Sequence, residues 1–337
     1  MKKLSRILLI GLAALVVVLT LGVTLTIGWR PLIGPKSRPL SSRKFESSPQ
    51  RLERGKYLFT GITGCVNCHS QHDNSRHGVP VIAGTEGGGE PMPFDDLPGF
   101  IIAPNITPDL ETGAGNWSDD QLARAIREGI GHDGRALFTM MPYQFYSKMS
   151  DEDLASVIVY LRSLAPLRRE LANSKMMFPV NYLVRSAPQP ITTPVVAPDP
   201  SDRVQWGKYL VTLGGCHDCH TPRVRGELMT GMDLGGGGVM KGAWGEAAAP
   251  NITPDPSGIS YYDEKLFIQA LRTGYVGARP LSSIMPFNVY GNLTDDDLKA
   301  IFAYLQTVPP VKHRVDNALP ATYCRLCRLK HGAGEQN

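Results

Sequence analysis

Two copies of one sequence pattern constrain the fold of this 337-residue chain more than any other feature. Each copy contains, in the same order, Gly-Lys-Tyr-Leu, Cys-x-x-Cys-His, Ala-Pro-Asn-Ile-Thr-Pro-Asp, Arg-x-Gly, Met-Pro-aromatic and an acidic amphipathic run. The copies occupy residues 55–58 and 207–210, 65–69 and 216–220, 103–109 and 249–255, 127–129 and 272–274, 141–143 and 285–287, and 150–164 and 294–305. Their separation drifts only from 152 to 144 residues, which indicates a duplicated structural unit.

The segments around the repeated motifs predict where the domains begin and end. The predicted division is a signal anchor or transmembrane helix at 1–29, a basic tether at 30–46, a first domain at 47–185, a linker at 186–200, a second domain at 201–323 and a tail at 324–337. The linker contains five prolines and one charged residue, so we expect it to be extended and semi-rigid.

The repeated unit is predicted to be mostly helix with long loops. Helices are expected near 51–60, 118–128, 202–212 and 263–273, and after Ser150 and Thr294. Ser150 and Thr294 are N-cap candidates, and an aspartate three residues after each resembles the capping-box pattern. Apolar residues then recur with helical spacing, which predicts one buried face on each of these helices.

The Cys-x-x-Cys-His motif is the attachment signature of c-type haem. Its two thiols can bond to the two vinyl groups of one macrocycle, and the adjacent histidine can ligate the iron. A thioredoxin-like redox motif does not require that histidine, and a zinc site needs two such pairs in one domain. The prediction is two covalently bound haem c groups, attached through Cys65, Cys68, Cys216 and Cys219 and ligated by His69 and His220.

The sixth iron ligand is predicted to be methionine, because no second histidine is repeated. Met141 and Met285 recur before a proline, and a thioether ligand raises the reduction potential of haem. Met92 and Met240 also recur, in or beside Gly-rich loops, and remain the alternative pair. The loops Gly84–Glu90 and Gly235–Gly238 are expected to let the backbone approach the porphyrin closely.

The N-terminus is predicted to cross a membrane. Lys2, Lys3 and Arg6 precede 23 uncharged residues, Ile7–Trp29, and about 20 apolar residues span a bilayer as a helix. The run is longer than the h-region of a cleavable signal peptide, so a retained signal anchor is favoured. Covalent haem attachment takes place on the oxidising side of the bacterial inner membrane. The prediction is therefore a single-pass inner-membrane protein with its haem domains in the periplasm.

The net charge of +4 conceals an uneven distribution. Residues 1–60 contain 11 Lys and Arg against two Asp and Glu, whereas residues 61–311 contain 19 against 27. The body of the chain is acidic, which argues against a nucleic-acid partner.

Two cysteines, Cys324 and Cys327, lie outside the haem motifs. Arg328 stands where a third motif would need histidine, so a third haem is not expected. A local disulfide is favoured, and a metal pair with His331 remains open.

The repeated motifs resemble those of a known group. The combination of GCVNCH and GCHDCH, APNITPD, MPY and MPF, and the SDEDL…YLRSL run is similar to the membrane-anchored cytochrome c subunits of bacterial alcohol, aldehyde and gluconate dehydrogenases. Members of that group typically carry three haem domains, whereas this chain shows two motifs. The resemblance implies two tandem class I cytochrome c domains with His/Met ligation. It also implies electron transfer from a periplasmic dehydrogenase toward quinone or a terminal oxidase.

The competing function is catalysis at one of the haems. A dihaem peroxidase or a thiosulfate-oxidising cytochrome needs an open or exchangeable iron position, and the near symmetry of the two Met-Pro segments argues against one. An electron-transfer protein, or the cytochrome subunit of a dehydrogenase complex, is therefore favoured over a catalyst acting by itself.

Overall fold

A computed structural model describes residues 2–224, 226–242 and 244–337, which are mostly helices and loops with short strands. The α-helices are α1 (Lys2–Leu25), α2 (Arg30–Ile33), α3 (Pro49–Thr60), α4 (Cys65–Cys68), α5 (Asp119–Glu128), α6 (Tyr143–Tyr146), α7 (Asp151–Ser163), α8 (Val180–Leu183), α9 (Arg203–Leu213), α10 (Cys216–His220), α11 (Glu264–Thr273), α12 (Phe287–Tyr290) and α13 (Asp295–Leu305). Short 3₁₀ turns occupy Val184–Ser186 and Gly334–Gln336.

The strands form two-stranded antiparallel ribbons beside the helices. They are β1 (Glu90–Pro91) with β3 (Ile102–Ala103), β2 (Gly99–Phe100) with β4 (Lys175–Met176), β5 (Arg223–Val224) with β6 (Glu227–Leu228), β7 (Val239–Gly242) with β8 (Gly245–Ala248), β9 (Tyr275–Val276) with β10 (Arg279–Pro280), and β11 (Ala321–Tyr323) with β12 (Lys330–Gly332). The mostly helical prediction is confirmed.

The duplicated sequence folds into a duplicated set of helices. The first repeat, α3–α7, and the second repeat, α9–α13, have the same element order, apart from the short α8 between them. In each repeat the first long helix packs against the last. A side chain on Gly55 would overlap the carbonyl oxygen of Ser156, and one on Gly207 would overlap that of Ala300. The glycine of each Gly-Lys-Tyr-Leu motif is therefore required by this close crossing of helices.

Ser150 and Thr294 are N-caps, as predicted, but the reciprocal half of the capping box is not formed by the aspartates. Each hydroxyl accepts a hydrogen bond from the backbone amide three residues on. The Ser150 amide donates instead to the Tyr209 hydroxyl at 3.0 Å, and the Thr294 amide donates to the Tyr57 hydroxyl at 3.0 Å. In each case the tyrosine comes from the other repeat. The aspartate three residues after each N-cap accepts a hydrogen bond from that tyrosine hydroxyl and does not bond to the N-cap amide.

The two repeats are joined by a nearly symmetric exchange of hydrogen bonds. Tyr57 of the first repeat donates to Asp297 of the second at 2.5 Å, and Tyr209 of the second donates to Asp153 of the first at 2.7 Å. Burial, reinforced by the bond to Asp297, raises the pKa of Tyr57 to about 12. One hydrophobic core continues across this interface, and it includes fully buried residues from both repeats, among them Leu58, Ile62, Leu210, Leu213 and Leu293.

Helix α1 is long and apolar enough to cross a membrane, and none of its residues from Lys3 to Leu25 is buried. A signal sequence near the N-terminus would meet the same criteria of length and composition. The polypeptide then continues through α2 and an irregular segment to α3.

The predicted basic tether is docked on the first repeat rather than free. Arg38 donates to both carboxylate oxygens of Asp120, at 2.7 and 2.8 Å, and to Glu128 at 2.8 Å. The Ser41 amide donates to Asp120 at 2.6 Å. Burial favours a higher pKa for Asp120, but the bonds from Arg38 and Ser41 outweigh it and bring the pKa to about 2, below the ordinary 3.8.

We expect Arg38→Ala to reduce the free energy of unfolding at pH 7 by about 2 kcal/mol, since hydrogen bonds to charged groups are lost. Because the pKa of Asp120 is lower in the folded chain than in the unfolded chain, its ionised carboxylate stabilises the fold above pH ~4. This contribution disappears as the pH falls through about 2. The difference between wild type and variant, measured by urea unfolding, should therefore shrink on acidification. Arg168→Ala, which removes an exposed ion pair to Glu111, should cost less than about 0.5 kcal/mol at every pH. A difference that is constant from pH 7 to pH 2 would contradict the assignment.

Candidate haem site

Both Cys-x-x-Cys-His motifs lie on the wall of one large cavity. Its volume is about 1560 Å³, well above the roughly 300–1,000 Å³ of a site for one small ligand. The cavity is lined by all eight residues predicted to hold haem, namely Cys65, Cys68, His69, Met141, Cys216, Cys219, His220 and Met285. The structure therefore brings the two predicted sets together at the interface of the repeats.

The four cysteines are partly buried thiols rather than activated thiolates. Burial raises the pKa of Cys65 to about 11 and the pKa values of Cys68, Cys216 and Cys219 to about 12. A redox-active Cys-x-x-Cys motif instead lowers the pKa of its attacking cysteine. These thiols fit covalent attachment to a large apolar group better than disulfide exchange.

The two motif histidines are oriented as iron ligands. Nδ1 of His69 lies 2.8 Å from the Pro104 carbonyl oxygen, and Nδ1 of His220 lies 2.8 Å from the Pro250 carbonyl oxygen. Since a carbonyl can only accept, Nδ1 carries the proton and Nε2 keeps its lone pair for a metal. Burial lowers the pKa of both imidazoles and so favours the neutral, ligating form.

The repeated Ala-Pro-Asn-Ile-Thr-Pro-Asp segment supplies these carbonyls and is a buried turn. Asn105 accepts hydrogen bonds from the backbone amide and hydroxyl of Thr107, and Asn251 does the same for Thr253. Both asparagines are 3% exposed. The segment fixes the rings of the motif histidines, which explains why it is repeated together with them.

The Gly-rich loops pack behind the histidines and do not line the cavity. Side chains on Gly89 and Gly236 would collide with backbone atoms of residues 103–104 and 249–251. The close approach that these glycines allow is to the backbone of the turn, and the expected approach to the porphyrin stays a prediction. The loops support the turn instead, and the amides of Gly89 and Gly236 donate to the backbone oxygens of His69 and His220.

Methionine side chains are candidates for the sixth ligand in the cavity. His69 and His220 are the histidines among its lining residues within the described part of the chain. Met141 and Met285 line it, but so do Met92 and Met240. Both methionine pairs therefore remain candidate ligands, and substitution of each pair can distinguish them.

Two further pairs of repeated residues, which the motif analysis missed, line the cavity. Arg135 and Arg279 lie on its wall, and their guanidinium groups suit carboxylates. Tyr146 and Tyr290 follow the Met-Pro segments and donate to the carbonyl oxygens of Thr63 and Gly214. These two hydrogen bonds connect the Met-Pro segments to the Cys-x-x-Cys-His turns. Each pair is separated by the same 144 residues as Met141 and Met285, so aligning the two copies residue by residue would have identified them.

Cys324 and Cys327 do not form the predicted disulfide. Both are free thiols, fully buried. They lie with His313 and His331, and none of these four residues lines the cavity.

Comparison with known proteins places these features in a family. Residues 52–165 match the Cytochrome c family. A relative named "Diheme cytochrome c-type" from Cereibacter sphaeroides is 30% identical over 314 residues, which cover 90% of this chain and 98% of the relative. The chain belongs to the cytochrome c family.

Other relatives of this cytochrome are longer components of dehydrogenases. One of the subunits of nicotinate dehydrogenase from Pseudomonas putida is 32% identical over 83% of this chain and 23% of its own length. "Fructose dehydrogenase cytochrome subunit" of Gluconobacter japonicus is 29% identical over 81% of this chain and 56% of its own length. The chain thus spans from about a quarter to just over half the length of these relatives. Their names support a role in electron transfer.

Proposed function

We propose that this chain is a membrane-anchored dihaem cytochrome c that passes electrons from a periplasmic dehydrogenase toward quinone or a terminal oxidase. The observation that carries the proposal is one cavity lined by two sets of residues of the same types and order. Two tandem class I cytochrome domains, at 47–185 and 201–323, are proposed to contribute one set each. The segments 1–29, 30–46, 186–200 and 324–337 serve as anchor, docked tether, linker and tail.

Each repeat of this chain would hold its haem by covalent and coordinate bonds. Cys65 and Cys68 would attach one group, and His69 and Met141 would ligate its iron. Cys216, Cys219, His220 and Met285 would do the same for the second. Bound haem c supplies one-electron redox chemistry, while the protein tunes the potential and fixes the distance and orientation.

The ligand set explains why transfer is favoured over catalysis. If His69 and Met141, and His220 and Met285, held the two irons, the protein would leave no position for a substrate. Arg135 and Arg279 would neutralise the haem propionates from the cavity wall. The apolar lining would help to exclude water from bound haem, which favours a higher reduction potential.

The proposed location and partners are supported by the first helix and by the relatives. Helix α1 would anchor the chain in the inner membrane, with the haem domains in the periplasm. Relatives named as cytochrome subunits of fructose, alcohol and gluconate dehydrogenases favour a dehydrogenase as electron donor. The acidic body of the chain would attract a basic face of such a partner at low ionic strength.

Haem stoichiometry and reactivity test the proposal together. We expect two haem additions in the intact mass, one in Cys65→Ala/Cys68→Ala, and one in Cys216→Ala/Cys219→Ala. The wild type should be low-spin and inert to peroxide, and a dehydrogenase should copurify from solubilised membranes and reduce it. A high-spin haem with peroxide turnover would instead establish the dihaem enzyme, and a single haem would refute the paired site.

A further inference from the structure

Four metal-ligating side chains converge outside the haem cavity, at the end of the chain. One ligand atom from each lies within 4.8 Å of those from all the others. All four residues are no more than 2% exposed. They are His313, Cys324, Cys327 and His331.

The two imidazoles face one another in an arrangement that a shared cation would stabilise. Nδ1 of His313 donates to the Gly235 carbonyl oxygen at 2.7 Å, and Nδ1 of His331 donates to the Gly332 carbonyl oxygen at 2.7 Å. Both protons are thereby placed on Nδ1, so both Nε2 atoms carry lone pairs. These two Nε2 atoms are only 3.0 Å apart. Two buried lone pairs at this distance repel unless a positive ion is shared between them.

The spacing of the ligand atoms suits a tetrahedral ion. Bonds of about 2.0–2.1 Å to nitrogen and about 2.3 Å to sulfur place neighbouring ligand atoms about 3.3–3.8 Å apart. Sγ of Cys324 lies 3.4 Å from Nε2 of His313, within that range, and the two Nε2 atoms need only separate by a few tenths of an ångström. Two thiolates and two neutral imidazoles around a divalent ion also sum to zero charge, which burial favours.

We propose that His313, Cys324, Cys327 and His331 bind a structural zinc ion. Two sulfurs and two imidazole nitrogens in a tetrahedral arrangement are the ligand set that zinc prefers. Cys324 and Cys327 have the Cys-x-x-Cys spacing that is common in such sites. Because all four ligands come from the protein and are buried, the site is closed to substrate.

The surroundings resemble the outer shell of a metal site. The carbonyl oxygens that hold the imidazole rings fix their orientation, as the partners of metal-bound histidines do. The Asn337 side-chain amide donates to Sγ of Cys324 at 3.4 Å. Gly237 has φ of +96°, and a side chain there would come within 2.8 Å of the His313 ring and 3.3 Å of Sγ of Cys327. The backbone is thus held against the cluster.

The zinc ion would fasten the tail behind the second haem. Gly235, which holds the His313 ring, is followed by Gly236, whose amide donates to the backbone oxygen of His220. The ion therefore links residues 324–331 to the loop that supports the second motif histidine. Loss of the ion should loosen the tail and disturb the second haem more than the first.

The first repeat lacks the corresponding ligand. The backbone amides of His313 and Arg169 each donate to a hydroxyl at 2.9 Å, of Ser257 and Thr112 respectively. Arg169 therefore occupies in the first repeat the position of His313 in the second. The site is a feature of the second repeat and of the tail, and it was not inherited from the duplicated unit.

Elemental analysis of the full-length, haem-loaded protein tests the proposal. We expect one zinc per chain in addition to haem iron, either as purified or after incubation with zinc chloride alone and gel filtration. Zinc X-ray absorption should show two sulfur and two nitrogen neighbours, which requires no variant. Cys324→Ser/Cys327→Ser and His331→Asn should each lower zinc at least tenfold with haem content unchanged. The matched control is His132→Asn, since His132 stacks on Trp117 outside the cluster, and it should retain zinc.

Three results would overturn the zinc site. One is an intact mass lower by two hydrogens in zinc-free protein, with Cys324 and Cys327 joined in a disulfide. Another is a haem addition on these cysteines, and the third is bound zinc that persists in the cysteine variant. Because haem is counted separately, failure of the zinc site leaves the dihaem proposal standing, and failure of the latter leaves zinc measurable.

Discussion

Met141→Ala is expected to abolish the weak red methionine-to-iron absorption band of one haem and to lower its reduction potential by on the order of 100 mV or more. The thioether stabilises ferrous iron, and axial ligands move haem potentials over about 0.8 V. Met285→Ala should do the same to the other haem. A spectroelectrochemical titration that resolves two midpoints would show one value displaced in each variant and the other unchanged.

The matched controls for the ligand variants are Met92→Ala and Met240→Ala. These methionines are repeated and line the same cavity, so they control for lost packing beside the macrocycle. They should retain the band and change the potentials by a few tens of millivolts at most. If Met92→Ala or Met240→Ala removes the band while Met141→Ala and Met285→Ala retain it, the alternative ligand pair is correct.

Tyr57→Phe combined with Tyr209→Phe is expected to reduce the free energy of unfolding by about 3–6 kcal/mol. Each substitution removes one buried hydrogen bond to an aspartate, worth about 1.5–3 kcal/mol. It also leaves the N-cap amide of Thr294 or Ser150 without its partner. Chemical denaturation followed by haem absorbance measures the loss.

Tyr160→Phe with Tyr304→Phe is the control for the tyrosine pair. These tyrosines occupy equivalent places on α7 and α13 and are half-buried. No hydrogen bond from their hydroxyls to the other repeat is present among the described residues, so we expect a loss below about 1 kcal/mol. Electron exchange between the haems should slow in the first pair of variants only. Equal losses in both pairs would mean that the exchanged bonds do not hold the repeats together.

The periodic and motif-bearing parts of the fold followed from the sequence. The helices expected near 51–60, 118–128, 202–212 and 263–273 are present as α3, α5, α9 and α11 with bounds shifted by at most two residues. Such segments are predictable because capping residues and apolar spacing act over one or two helical turns. The Cys-x-x-Cys-His residues lie together for the same reason, since one short turn positions all of them.

Features that depend on distant residues did not follow from the sequence. The roles of Tyr57 and Tyr209 depend on partners about 240 and 56 residues away. The cluster at Cys324 needs His313, whose spacing to the cysteines matches no short motif. The docking of Arg38 on Asp120 likewise joins segments 82 residues apart. Local patterns contain no information on such pairings, which tertiary packing decides.

The exchanged tyrosine and aspartate bonds give the molecule the geometry of a homodimer made within one chain. In a two-fold interface the same patch serves both partners, and here Tyr57 and Asp153 of one repeat meet Asp297 and Tyr209 of the other. Covalent connection through residues 186–200 converts association into an intramolecular step, whose effective concentration is in the millimolar range for a short linker. The two redox centres would therefore remain paired at any dilution. Each repeat also has its own attachment, the N-terminal segment on one and the tail with Cys324 and Cys327 on the other.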